Sequence, residues 1–194
     1  MTARGFRSSW ASPAESWPSA ANRSERRAYP TAEDLAEIAI MTAEKARRFN
    51  QEPRVAMLSF SNFGSTRHAL SDKVRHAVSL VRQKAPGLMI DGEMQADTAV
   101  VPSIIDETYQ FSTLKGGANV LIFPNLESGN IAYKLLQRIG NCELIGPLLA
   151  GLSKPVHVLQ RGSEVNDIVN VAAVAVVDAQ EVGKPYTTLA ASTR

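Results

Sequence analysis

The chain has 194 residues, of which 44% are hydrophobic and 21% are charged, and its formal net charge is +2. This length and composition predict one soluble globular domain with a substantial core. The positive charge is concentrated at the start, because residues 1–29 carry five arginines and two glutamates, a net of +3. The remainder sums to −1, so the part expected to fold has no basic stripe of the kind that binds nucleic acid.

The single cysteine, Cys142, excludes an internal disulfide and fits a reducing, cytoplasmic environment. The three histidines, His68, His76 and His157, lack the spacing of metal ligands, so we expect no metal site. No apolar run reaches the about 20 residues that a membrane-spanning helix needs. We therefore expect no membrane-embedded part.

The ends of the chain differ in composition from the middle. Residues 1–29 hold both tryptophans, Trp10 and Trp17, in a mixture of Ser, Ala, Arg and Pro without an apolar period. The segment lacks the apolar stretch of a secretory signal, although its Arg- and Ser-rich composition superficially suits an organellar transit peptide. We expect residues 1–29 to be disordered or unrelated, residues 30–182 to form the domain, and residues 183–194 to be a flexible tail.

Helices and strands alternate along the predicted domain. Thr31 followed by Asp34 is typical of a helix N-cap, and this first helix is expected to end near Asn50. The later helices are marked by apolar side chains at helical spacing, the last of them ending near Glu181, and Gly140 is the predicted C-cap of the fourth. The expected helices cover 31–50, 69–84, 101–109, about 131–139 and 165–181. The expected strands cover 54–60, 88–90, 119–123, 144–149 and 156–159.

This alternation predicts a three-layer α/β/α sandwich around a mostly parallel sheet. In such sheets, ligands bind where loops leave the carboxyl ends of the strands. Three loops meet this description, and they cover 59–65, 91–97 and 124–130. The sequence 115–118 (KGGA) precedes a strand instead of following one, so it predicts a turn.

Each of these loops allows a functional and a purely structural interpretation. The hydroxyls, amide and glycine of 59–65 can bind an anion, but they are also ordinary turn residues. The three carboxylates in 91–97 can bind magnesium or act as an acid and base, but we favour a turn in which they hold backbone donors. The third loop opens the helix that carries Tyr133, Lys134 and Arg138, which suits either a polyphosphate or a capped amphipathic helix.

One further candidate lies before the last helix. Arg161 stands at a helix start, where it can bind an anion, and Asp167 lies a turn further along, where it can serve as a base. Ser163 is a plausible N-cap, and on the residues alone a capping role is preferred for this segment.

Four ordered segments resemble phosphate acetyltransferases of the phosphate acetyl/butyryltransferase family. They are RVAMLSFSNFGS (54–65), IDGEMQAD (90–97), GANVLIFPNLESGNIAYK (117–134) and GPLLAGLSKP (146–155). Within this family, the sequences SNFG, DIVN and VVDAQ most resemble the C-terminal domain of bacterial NADP-dependent malic enzymes. The resemblance runs from about Thr31 to Gln180, and it implies a fold like that of isocitrate and isopropylmalate dehydrogenases.

The family transfers an acetyl group between CoA and phosphate. By this resemblance, Arg161 matches an arginine that steadies the acyl phosphate, and Asp167 matches an aspartate that deprotonates the CoA thiol. Gln160 stands where the family has a serine. Arg138 matches an arginine near the CoA phosphates, and Ile145 lies where the pantetheine passes.

The resemblance also implies that another half precedes the helix at Thr31 in family members. In this chain only the unpatterned residues 1–29 occupy the place of that half, and Gln160 replaces the family serine. We therefore expect an acetyl-CoA-binding regulatory domain of a malic enzyme, without turnover. The alternatives are a phosphate acetyltransferase and an inactive truncated remnant. The expected partners are acetyl-CoA, a second copy in a homodimer and the malic enzyme dehydrogenase part. The expected ligand contacts are Ser61, Asn62, Gly64, Ser65, Asn130, Arg138, Ile145 and Arg161.

Overall fold

The computed structural model describes residues 28–140, 142, 144–152, 154–159 and 161–180. The predicted disordered segment 1–29, apart from its last two residues, and the predicted tail 183–194 lie outside this part. The helices are α1 Ala32–Arg48, α2 Ala69–Lys84, α3 Ala96–Val100, α4 Pro102–Thr108, α5 Leu126–Arg138 and α6 Val165–Gln180. The strands are β1 Arg54–Leu58, β2 Met89–Met94 and β3 Val120–Ile122.

The three strands form one parallel sheet in the order β2-β1-β3, with β1 in the centre. Successive side chains of a strand point to opposite faces, and in β1 both faces are buried. Val55 and Met57 join one core cluster, whereas Ala56 and Leu58 join another. A strand buried on both faces explains the continuous apolar run in the sequence.

Helices cover both faces of the sheet. On the first face, α1 contributes Leu35, and α2 contributes Val74 and Val81 to the larger cluster. On the second face, the smaller cluster contains Ala99 of α3 and Ile105 of α4. The predicted α/β class with a parallel sheet is therefore confirmed, and within the described residues the layers are helix, sheet and helix.

The helix ends follow their capping residues. The Thr31 hydroxyl accepts from the amide of Asp34 at 3.2 Å, and the Asp34 carboxylate accepts from the amide of Thr31 at 3.0 Å. This reciprocal capping box satisfies two donors that α1 would otherwise leave unpaired. At the end of α5 the C-cap is Ile139, so the prediction of Gly140 was one residue late. A Cβ at Gly140 would lie 2.7 Å from the Leu136 carbonyl oxygen, which explains the glycine.

The ends of β1 and β2 differ from the prediction. β1 stops at Leu58, and β2 continues to Met94, so the sequence 91–94 is strand and not loop. The pairing shifts there, since Met57 opposes Gly92 and Leu58 opposes Met94. Gly92 has a φ of +138°, and a Cβ on it would lie 2.6 Å from the Met57 carbonyl oxygen. Such a close backbone approach is possible only for glycine, and it turns Glu93 toward the loop after β1.

The prediction of strands over 144–149 and 156–159 was wrong. The structure has a single antiparallel bridge there, between Leu148 and His157. Proline at 147 and 155 lacks the N–H that a ladder needs, and Val156, Val158 and Leu159 are each nearly half exposed. Short apolar runs that are not covered on both faces do not behave as central strands.

The last helix, α6, was predicted correctly over the described residues. Among the helices that the structure describes, none is both long and apolar enough to cross a membrane.

Candidate functional site

The loop after β1 is held by its own polar side chains. The buried Ser61 hydroxyl donates to Glu93 Oε1 at 3.0 Å and accepts from the amide of Thr66 at 3.0 Å. The Ser65 hydroxyl accepts from the amide of Asn62 at 3.0 Å. Asn62 in turn accepts from the amide of Gln95 through its side chain at 2.7 Å. These bonds fix the loop against the end of β2.

Glu93 is the centre of this network. Its side chain is fully buried, yet Arg75 of α2 binds it through two donors, Nε to Oε2 and Nη2 to Oε1, both at 3.0 Å. The amide of Gly64 donates to Oε1 at 2.7 Å. Burial raises the pKa of Glu93, but the hydrogen bonds from Arg75, Gly64 and Ser61 outweigh it, so the pKa lies below its usual value. We name Ser61, Gly64, Arg75 and Glu93 the loop cluster.

Asp91 anchors a different segment. Its carboxylate accepts from Arg82 Nη2 at 2.7 Å, from the Ser112 hydroxyl at 2.9 Å and from the amide of Thr113 at 2.8 Å. Asp97 accepts from the amide of Thr98 at 2.8 Å. Each of the three acids of 91–97 accepts from a backbone amide, as the favoured interpretation has it. The expected turn is not there, because Asp91 and Glu93 lie in β2, and both also bind an arginine. Within the described part of the chain, no group of three His, Cys, Asp or Glu side chains is arranged to hold a metal.

The start of α5 is also tied to the rest of the domain. The Asn125 side chain caps the helix by accepting from the amide of Ser128 at 2.9 Å. Lys73 of α2 donates to the carbonyl oxygens of Pro30 and Pro124 at 3.0 and 3.1 Å, and burial lowers its pKa. The Tyr29 hydroxyl donates to Glu127 at 3.0 Å. The capped-helix interpretation of 125–130 is therefore supported, and Asn130 is exposed beside it.

Two basic side chains, Lys134 and Arg138, and Tyr133 lie in the second half of α5. Arg138 is exposed in the last turn, and Lys134 Nζ lies 5.4 Å from the centre of the Tyr133 ring. Burial raises the pKa of Tyr133, and the negative charge of Asp167 raises it further. The charge of Asp167 at the start of α6 therefore reaches Tyr133 of α5 electrostatically, and no hydrogen bond joins the two side chains in the described part of the chain.

The residues before and at the start of α6 have mixed surroundings. Arg161 is exposed, Ile145 and Asp167 are partly buried, and Gln160 lies outside the described residues. The Asp167 carboxylate accepts from the amide of Glu164 at 2.9 Å. This bond pairs the amide of the residue just before α6, so Asp167 has a capping role. Ser163, the predicted N-cap, lies two residues before the first helical residue, Val165. We name Tyr133, Arg138, Arg161 and Asp167, which lie on α5 or in and just before α6, the helix cluster; the interaction found among them is the one between Asp167 and Tyr133.

Six of the eight predicted ligand contacts fall into two groups, and the other two, Ile145 and Arg161, lie between α5 and α6 in the sequence. Ser61, Asn62, Gly64 and Ser65 lie at the carboxyl end of β1, whereas Arg138 and Asn130 lie on α5. In the part of the chain that the structure describes, no hydrogen bond or ion pair joins the loop cluster to Arg138, Arg161 or Asp167.

Sequence reasoning missed the role of Arg75 and that of a buried ion pair between Lys45 and Asp178. The signal for Arg75 was weak, because a single arginine on a helix does not reveal which carboxylate it faces. Asp178 was visible as an acid on the apolar face of the last helix, four and seven residues after Val174 and Val171, and such a position predicts a buried partner.

Comparison with known proteins identifies the family. The model of the family described as "phosphate acetyl/butaryl transferase" matches residues 25–176. The chain belongs to this family. It is 49% identical over 150 residues to a phosphate acetyltransferase of Bacillus subtilis strain 168, covering 77% of this chain and 46% of that protein. It is 53% identical over 153 residues to an NADP-dependent malic enzyme of Escherichia coli K12, covering 78% of this chain and 20% of that protein.

The solved structures agree with this assignment. A phosphotransacetylase from Streptococcus pyogenes superposes with a TM-score of 0.76 at 46% identity, and the match covers 80% of this chain and 47% of that one. The chain therefore spans about half the length of the acetyltransferases that it matches and about a fifth of the malic enzymes. It is a phosphotransacetylase-like domain with relatives in both groups.

Proposed function

We propose that this phosphotransacetylase-like domain binds acetyl-CoA as a regulatory ligand and does not turn it over. The observation that carries the proposal is the helix cluster. The effect of Asp167 on Tyr133 indicates that the start of α6 lies next to α5, which ends with the exposed Arg138. Arg161 precedes the same helix start. Arginine donors suit the phosphates of CoA, because a guanidinium can bind two phosphate oxygens at once.

Two features support binding without turnover. The Asp167 carboxylate already accepts from the amide of Glu164 at 2.9 Å, so it is engaged in capping α6. Gln160 carries an amide where the resemblance implies a serine hydroxyl.

A regulatory role requires that acetyl-CoA binds two conformations of the parent protein with different affinities. The proposed parent is a malic enzyme, a class with which this chain shares 53% identity over 153 residues. The proposed partners are therefore a malic enzyme dehydrogenase part and a second copy of the domain in a homodimer. No metal or bound cofactor is part of the proposal, and its proposed setting is the cytoplasm.

Isothermal titration of acetyl-CoA into the whole chain tests the proposal. We expect saturable binding that weakens at least tenfold in Arg138→Ala and in Arg161→Ala. Lys84→Ala is the matched control, since it removes one positive charge from the far end of α2, where Lys84 Nζ lies 3.7 Å from Glu37. Absence of heat at millimolar acetyl-CoA, with a cooperative thermal transition present, would contradict the proposal.

A phosphate acetyltransferase is the second candidate, favoured by 49% identity to the Bacillus subtilis enzyme and by the retained Arg161 and Asp167. In that reaction a phosphate oxygen forms a bond to the acetyl carbon, the thioester C–S bond breaks, and CoA leaves as the thiol. Phosphate-dependent release of thiol from acetyl-CoA, lost in Asp167→Asn, would establish this candidate in place of the regulatory one.

A further inference from the structure

A buried ionic cluster joins three distant parts of the chain. Lys45 of α1 forms an ion pair with Asp178 in the last turn of α6, and His157 Nε2 lies 3.2 Å from the same carboxylate oxygen. The side chains of Lys45, His157 and Asp178 are 10%, 11% and 4% exposed. Lysine and aspartate are almost never buried to this extent unless they are paired, so their pairing is what permits this burial.

The apolar contacts of α6 are few in comparison. Along the helix, only Val171, Val174 and Asp178 are buried. Four large apolar side chains of the same helix are 46–75% exposed, and they are Val165, Ile168, Val169 and Val176. The buried stripe fixes which side of α6 faces the domain, but two valines are a small interface. The ion pair is the contact that ties the end of α6 to α1 among those found between these two helices.

Besides Lys45, the described side chain that can bring positive charge to Asp178 is His157, and only when it is protonated. Asp178 Oδ1 has no hydrogen-bond partner among the described residues, and His157, although close, does not reach hydrogen-bond geometry with the carboxylate. When one partner of a buried ion pair is removed, the other is left as an uncompensated charge, which costs far more than the pair contributes. Removing the Lys45 charge should therefore favour release of the end of α6.

We propose that Lys45 is a positioning residue: by holding Asp178 it sets where the start of α6, with Asp167, lies relative to Tyr133 of α5. Asp167 and Asp178 are eleven residues apart, about 16 Å along one helix. A helix of this length moves as a unit, so freeing one end displaces the other. The expected effect on acetyl-CoA binding rests on the proposed function. The placement of α6 by Lys45 does not depend on that function.

The test uses three variants of the whole chain. Lys45→Met removes the charge but keeps the length of the side chain. Lys45→Met combined with Asp178→Leu removes both charges and leaves an apolar pair of similar volume, which buried sites tolerate well. Arg47→Met is the matched control, because Arg47 lies on the same helix and its pair with Glu52 at 3.1 Å is largely exposed on the glutamate side.

Two measurements judge the geometry without any ligand. Hydrogen exchange of the amides in 165–180 should accelerate on the order of a hundredfold in Lys45→Met, and should return close to the wild-type rate in the double variant. The titration of Tyr133, identified by difference from Tyr133→Phe, should move to lower pH in Lys45→Met because Asp167 has moved away. Unchanged exchange and an unchanged Tyr133 titration in Lys45→Met would overturn the proposal.

Titration with acetyl-CoA then tests the consequence for the site. We expect a dissociation constant raised at least tenfold in Lys45→Met and restored to within about threefold of wild type in the double variant. A loss that the double variant does not restore would show that Lys45 acts through its own charge, which would overturn its positioning role. If wild type does not bind while exchange and Tyr133 respond as expected, the proposed function is wrong and the positioning role stands.

Discussion

The buried carboxylate of Glu93 offers a sharp test of how the loop after β1 is held. Three donors reach Oε1, namely Gly64 N at 2.7 Å and both Ser61 Oγ and Arg75 Nη2 at 3.0 Å. Arg75 Nε reaches Oε2 at 3.0 Å. The substitution Glu93→Gln keeps the shape and one acceptor oxygen. It removes the charge and sets an amide NH₂ group against a guanidinium that can only donate.

We expect this change to lower the free energy of unfolding by about 2–3 kcal/mol. Removing one partner of a buried ion pair costs about 3–5 kcal/mol. We take the lower end of this energy range and reduce it further, because the Arg75 side chain is 43% exposed and can bind water once the carboxylate charge is gone. Each kcal/mol lowers the melting temperature of a domain of this size by about 2–4 °C, so thermal unfolding followed by circular dichroism should shift down by about 4–12 °C.

Glu52→Gln provides the comparison. Glu52 is paired with Arg47 at 3.1 Å, but its side chain is 72% exposed. Exposed ion pairs contribute about 0–1 kcal/mol, so the melting temperature of this control should change by no more than a few degrees. If Glu93→Gln shifts melting no more than Glu52→Gln does, then the carboxylate does not organise the loop, and our account of the loop cluster is wrong.

Three further predictions concern backbone, pH and helix geometry. In urea unfolding, Gly92→Ala should lower the free energy of unfolding by about 3 kcal/mol or more, because the new Cβ would lie 2.6 Å from the Met57 carbonyl oxygen of β1. Gly116→Ala is the control. Its Cβ would have no atom within 4 Å, so this change should lower the free energy by about 1 kcal/mol. Burial raises the pKa of Glu93 but its hydrogen bonds hold it below the usual 4.5. The charged Glu93 therefore stabilises the fold above pH 4.5, and this stabilisation is lost as the pH falls through the lowered pKa of Glu93. The difference in unfolding free energy between wild type and Glu93→Gln should consequently become smaller from pH 7 to pH 3. Asp167→Asn should lower the pKa of Tyr133 in an ultraviolet titration, since one of its two raising causes is removed while burial remains; an unchanged titration would contradict the adjacency of α5 and α6.

The regular elements were predictable where local signals and burial agree. Thr31 and Asp34 marked the start of α1 through a capping box that the structure contains. The limits of α2 and the start of α6 followed from apolar spacing and flanking turn residues. The continuous apolar run after Arg54 indicated a strand covered on both faces, which β1 is. In each case the short-range pattern and the tertiary surroundings favour the same structure.

The failures lie where long-range packing decides. The stretches 144–149 and 156–159 are rich in apolar residues, yet they form one bridge. Pro147 interrupts the first stretch, and the valines of the second are nearly half exposed. The sequence 91–94 resembles a turn, but it pairs with β1 as part of β2. This pairing is possible because Gly92, which has no Cβ, can lie close to the Met57 backbone. Neither outcome can be derived from residues that are neighbours in the sequence.

The candidate site was predicted as a set of residue types, and the structure adds which of them are already engaged. Ser61 is fully buried, donates to Glu93 and accepts from Thr66, so a ligand could use its hydroxyl only by breaking bonds that already exist. Breaking buried hydrogen bonds costs about 1–3 kcal/mol for each group left unpaired. Ser65 is exposed but likewise engaged, because its hydroxyl accepts from the amide of Asn62 at 3.0 Å and lies 3.3 Å from Ser61 Oγ.

Arg138 and Arg161 are in the opposite situation. Both are exposed, and in the described part of the chain neither has an ion pair, so their donors meet a phosphate at the cost of displaced water alone. An arginine at a surface contributes binding energy only if a second wall removes solvent from it, because an exposed pair is worth about 0–1 kcal/mol. In this chain, the neighbouring α6 is the element that can provide such a wall beside α5. Under the proposed role of Lys45, its ion pair with Asp178 positions the helix that Arg138 and Arg161 need as a wall in order to act as one binding site.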